Sequence, residues 1–112
     1  MSTRDLLRAS KPKVHPVEIS IGKVHIRALT GSGRAAYLDL VAKYEPKAAP
    51  THEIAILCLC HETGQLEFDL EKPEDIADVA NMDGEDLQKI VLKLFEVSGL
   101  SKASAEAAEK NS

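Results

Sequence analysis

The sequence predicts an α+β fold: an N-terminal β-hairpin packed on about four α-helices and followed by a disordered polar C-terminal tail. Two stretches and the chain length carry this expectation. Over Asp83–Leu100 the apolar residues Leu87, Ile90, Val91, Leu94 and Phe95 recur at helical spacing, making one wide apolar stripe that needs covering. Over Val17–Leu29 apolar and polar residues alternate instead, the period of a strand with one buried face. A chain of 112 residues suits one domain, which buries roughly two-thirds of the surface its unfolded form exposes.

Residues 1–13 set Arg4, Arg8, Lys11 and Lys13 against the single acid Asp5. They read as a flexible basic arm, or as a short helical turn docked through Leu6 and Leu7. A single domain follows over residues 14–100. Pro12 and Pro16 discourage helix and lead into the hairpin. There Val17, Ile19 and Ile21 point one way and Glu18 and Ser20 the other, and Val24, Ile26 and Ala28 alternate with His25 and Arg27. Gly22-Lys23, with glycine first, suits a two-residue type II′ turn. An isolated hairpin is marginal, so this one must lie on helices or on a partner's sheet.

Thr30 or Ser32 can cap a helix from about Gly33 to Tyr44, with Tyr37, Leu40, Val41 and Tyr44 on one face and Pro46 ending it. The linker Glu45–Pro50 is expected to be exposed and mobile. Thr51–His61 is apolar all round from Ile54 to Cys60 and fits either a buried helix or a central strand. Thr51 as N-cap, Glu53 in the first turn and few β-branched residues favour a central helix. A turn at Gly64 precedes alternating Leu66, Phe68 and Leu70, a brief strand or an extended loop. Pro73 opens a helix over Pro73–Ala80 with Ile76, Val79 and Ala80 inward. Asp83 can cap the last helix and Gly99 can end it. The final residues, SKASAEAAEKNS, offer little to bury, so 101–112 are expected to be disordered.

The net charge of −4 argues against a dedicated nucleic-acid binder. No apolar run approaches the ~20 residues of a membrane span, and the N-terminus lacks the apolar core of a secretory signal. With only Cys58 and Cys60, both in a hydrophobic run, a disulfide framework is not expected, and the protein is placed in the cytoplasm.

Cys58, Cys60 and His61, with His52 upstream, resemble a soft-metal set. On a helix, however, residues two apart point ~200° away from each other, and buried cysteines usually behave as small hydrophobes. No third group marks a Cys–His nucleophile. Core packing is therefore the favoured reading, with no cofactor and no enzymatic activity expected. Gly31 and Gly33 fit neither a P-loop nor a dinucleotide fingerprint. Glu62 to Asp86 holds ten acids against Lys72, mostly near helix N-termini, where the dipole favours them. A basic arm and an acidic band favour binding a charged protein surface, or self-association.

The order of parts resembles the tail assembly chaperones of long-tailed, siphovirus-type bacteriophages and prophages. The similarity covers residues 17–112. It runs through the strand-to-helix passage VHIRALTGSGRAAY, the segment ILCLCHETGQLEFDLEKPEDIADVANMDGEDLQKIVLKLFEVSGLS and the tail ending EAAEKNS. Within these, the apolar run ends in a turn containing Gly64 and Phe68, and a helix starts at Glu74–Asp75. Cys58, Cys60 and His61 depart from the usual look, which often carries Asp where His61 stands. The resemblance implies a non-enzymatic protein of the host cytoplasm, absent from the finished virion. It would bind the tape measure protein, keep it soluble and help recruit tail tube protein, and it can have a frameshift-extended form of itself. Candidate partner-binding residues are Arg4 and Arg8 on the arm, His25 and Arg27 at the hairpin edge, and Arg34 and Tyr37 on the first predicted helix. The alternative is a small cytoplasmic adaptor or regulatory domain working through its hairpin edge.

Overall fold

The amphipathic stripe forms the helix that carries the sheet. In the computed structural model, which describes residues 2–100, this helix (α5) spans Gly84–Val97 and buries Leu87, Ile90, Val91 and Leu94. Asp83 caps its start, one carboxylate oxygen accepting from the N–H groups of Glu85 at 2.9 Å and Asp86 at 3.2 Å. Gly99 closes the other end at φ +75°, a conformation that side chains with a Cβ rarely adopt. The Leu100 N–H then returns to the Phe95 carbonyl at 2.8 Å, and the Gly99 N–H to that of Glu96, satisfying carbonyls the helix leaves open. The expected disordered tail, 101–112, lies outside the described residues.

The fold is α+β, and the sheet has three antiparallel strands in the order β1 (Val14–Ile19), β2 (Gly22–Arg27), β3 (Leu59–Cys60). The hairpin turn is Ser20-Ile21, closed by the pair Ile19↔Gly22, and not the expected Gly22-Lys23. Gly22 instead opens β2 at φ +143°. The cause lies far along the chain. Asp86 accepts from the Ser20 N–H at 3.0 Å and from the Ser20 hydroxyl at 2.5 Å, which pins Ser20 over the first turn of α5. Each residue's cross-strand partner moves by an even number, so the inward set of Val17, Ile19, Val24 and Ile26 is preserved. Ile21 is not in that set: it stands at the tip, 83% exposed.

Pro16 lies within β1, opposite His25. Arg27 donates its N–H to the carbonyl of Cys58, the residue before β3, so by alternation His25 also faces β3 and Pro16 faces the free edge, where its missing N–H costs no ladder bond.

The run Thr51–His61 is neither one helix nor one strand. It is helix α3 (Thr51–Ile56), a turn, then β3. Uniform apolarity hides the change of period. Thr51 is the first helical residue and not the N-cap, a place taken by Pro50 without a side-chain bond. Ala55 and Cys58 are wholly buried, and α3 packs on α5 and on α4 (Pro73–Ala80). In α4, Val79 is buried and Ile76 half-buried, but Ala80 is exposed.

Helix α2 (Gly31–Tyr44) starts two residues earlier than expected, capped by the Thr30 hydroxyl, which accepts from the Gly33 N–H at 3.1 Å. Leu40 is its one buried residue. Tyr37 meets Phe95 of α5 edge-on, ring centres 5.8 Å apart. The linker is exposed over residues 45–48, with Ala49 packed against the core. Across it, Tyr44 donates its hydroxyl to the buried Glu53 at 2.5 Å. The basic arm carries a helix, α1 (Thr3–Ala9), capped by Ser2 and with no residue buried. It does not dock through its leucines.

Candidate functional site

Strand β3 is too short to cover β2. It pairs with His25 and Ile26, leaving the edge of β2 open beside Lys23, where the chain turns away at His61. By the same alternation, the main-chain groups of Lys23 face this gap. A groove of about 440 Å³ occupies it. Ile19, Val24 and Leu59 line it from the sheet, Phe68 from the extended segment after Gly64, and Met82 from the turn between α4 and α5. Ile21 stands at its mouth.

The rim is polar. His25 Nε2 lies 3.8 Å from a Glu62 carboxylate oxygen, and His61 Nδ1 lies 3.5 Å from Glu67. Lys23 adds a cation. Cys60 borders the groove, and burial pushes its thiol up although Arg27 opposes the shift. Cys58 is pushed up to about 12, first by burial and then by Cys60. Both are free thiols and stay protonated at neutral pH, which suits packing and not nucleophilic attack. Among the described residues, no group of three His, Cys, Asp or Glu is arranged to hold a metal ion. An apolar trough with charges only at its rim is chemistry for binding.

No family model, curated protein or solved structure matches the chain. The site is therefore argued from its own geometry.

Of the six residues singled out from sequence, only His25 lines the groove. Arg27 donates to the Gly64 carbonyl at 3.0 Å, holding the turn that leads to Phe68. Arg34 donates to the Ser98 carbonyl, and the buried Ser98 hydroxyl accepts from the Leu29 N–H at 3.0 Å. This pair ties the start of α2 to the end of α5. Tyr37 is half-buried against Phe95. Arg4 and Arg8 are exposed on α1, away from the other four in sequence and with no buried neighbour in their helix. The sequence reading missed Ile21, Phe68 and Met82 as surface-forming residues. Ile21 and Phe68 sit in alternating apolar stretches, and Met82 stands alone between two helices without a local signal. Among the described residues no helix is long and apolar enough to cross a membrane.

Proposed function

We propose that the protein is a tail assembly chaperone of a long-tailed bacteriophage or prophage. It acts in the host cytoplasm and is absent from the finished virion. In this reading it covers apolar helical stripes of the tape measure protein before tube assembly and helps bring in tail tube protein. The single observation that supports it is the open groove at the β2 edge, with Ile21 83% exposed at its mouth. An apolar patch rimmed by charge is the usual mark of a protein-binding surface. A client helix would lay apolar residues at i, i+3 and i+4 into the trough, while Lys23, Glu62 and Glu67 set register and keep the complex soluble. The resemblance over residues 17–112 gives the client its identity.

Strand addition is the second reading, favoured by the free main-chain groups of Lys23. It would make the protein an adaptor that takes an extended peptide along β2.

The test is co-expression with a tape measure protein from the same phage or prophage genome. The expected result is soluble tape measure that co-purifies with the wild-type chain and returns to the pellet with Ile21→Asp. Tape measure that stays insoluble with the wild-type chain would refute the chaperone reading and leave the adaptor.

A further inference from the structure

Two uncovered apolar surfaces of this chain carry opposite charge. The first is on α1. Leu6 and Leu7 are 56% and 68% exposed. They lie one helical step apart and form a single apolar edge, and Arg4 and Arg8, at i and i+4, form a basic edge beside it. Lys11 and Lys13 extend that charge along the chain.

The second is at the hairpin tip. Beyond the groove described above lies a smaller one of about 210 Å³, between the tip and the end of α4. Ile21 and Met82 line both, so the two form one apolar saddle. Glu62 and Glu67 flank it on one side, Asp78 and Asp83 on the other. Lys23 is the one lysine or arginine lining either groove among the described residues.

We infer that this saddle receives α1 of a second copy of the chain, with Leu6 and Leu7 seated over Ile21 and Met82 and the basic edge set against the four acids. Within one chain α1 is not seated on its own saddle: Leu6 and Leu7 stay exposed and neither lines either groove. Exchange of α1 between two copies is reciprocal and closes as a two-fold dimer. The inference is read on the pure protein; α1 of a second copy would sit on the same Ile21 and Met82 surface proposed for the client, so the two occupants exclude one another there.

The experiment is sedimentation of the full chain over a wide concentration range, with covalent trapping. The wild type is expected to pass reversibly from monomer to dimer, and about 0.5 M NaCl should shift the midpoint to higher concentration by screening the charges. Leu6→Ala with Leu7→Ala, and separately Ile21→Ser, should each move the midpoint about tenfold or more. All three positions are exposed, so the fold is retained, and Leu92→Ala on α5 serves as an exposed-leucine control. Leu7→Cys on one tagged copy and Ile21→Cys on another should form a disulfide between tags. A dimer indifferent to the α1 changes would overturn the inference, as would a monomer at every concentration. A Leu7→Cys, Ile21→Cys chain that bridges only within itself would overturn it in favour of docking in cis. Binding of α1 to anionic vesicles with no self-association would overturn it in favour of a membrane surface.

Discussion

Truncating Leu94 tests whether α5 carries the core. Leu94 is 0% exposed, and α5 packs on α3, β1 and β2. Leu94→Ala removes three carbons from this junction, which at ~0.8 kcal/mol per buried methylene is about 2.4 kcal/mol of transfer free energy. The cavity left behind raises the loss to about 3–4 kcal/mol. That is a large share of the ~5–15 kcal/mol that holds a typical domain together. At ~4–8 °C per kcal/mol for a domain near this size, Tm should fall by more than 10 °C. Leu92 lies two residues earlier on the same helix and is 54% exposed, so Leu92→Ala should stay within about 0.5 kcal/mol. Urea unfolding followed by circular dichroism measures both. Equal losses for the two leucines, or a loss under ~1 kcal/mol for Leu94→Ala, would refute the assignment of the buried face.

Three other outcomes follow from named contacts. The Ser20 hydroxyl, and then the Ser20 N–H, hold the Asp86 carboxyl below its ordinary value of 3.8. Its stabilising contribution is therefore full above 3.8 and is lost as pH falls through the lower folded value, so Ser20→Ala should flatten the urea-midpoint profile in that acid range. Cys58 and Cys60, buried and pushed up, should resist thiol reagents in the native state and react in denaturant; rapid native labelling of either would contradict their burial. A double-mutant cycle on Tyr37→Leu and Phe95→Leu should return a coupling of about 0.5–1.5 kcal/mol from the edge-on ring contact, and a coupling near zero would exclude it.

The fold class, the hairpin's inward face, α4 and α5 were all legible, because each is written locally as periodicity or a cap. Two features were not. Glycine position is the local signal for a turn, and it points to Gly22-Lys23. The bonds that move it to Ser20-Ile21 come from Asp86, 66 residues away. The split of Thr51–His61 into α3 and β3 was hidden because every residue from Ile54 to Cys60 is apolar, and only pairing with β2 decides where the helix stops. Both gaps bear on the site. A turn at Gly22-Lys23 would have put Ile21 in a strand, and an unbroken helix would have removed the short β3 whose end opens the groove. Arg27 and Arg34 illustrate the converse: as charged residues they read as free surface, yet each donates to a main-chain carbonyl.

The most direct test of the groove as the client surface is amide chemical-shift mapping with a soluble, helical segment of the tape measure protein. The account predicts that the largest changes fall on residues 19–24, 59–62, Phe68 and Met82, and that Ile21→Asp abolishes them. Changes confined to the exposed face of α2 around Leu38, with the groove residues silent, would contradict it.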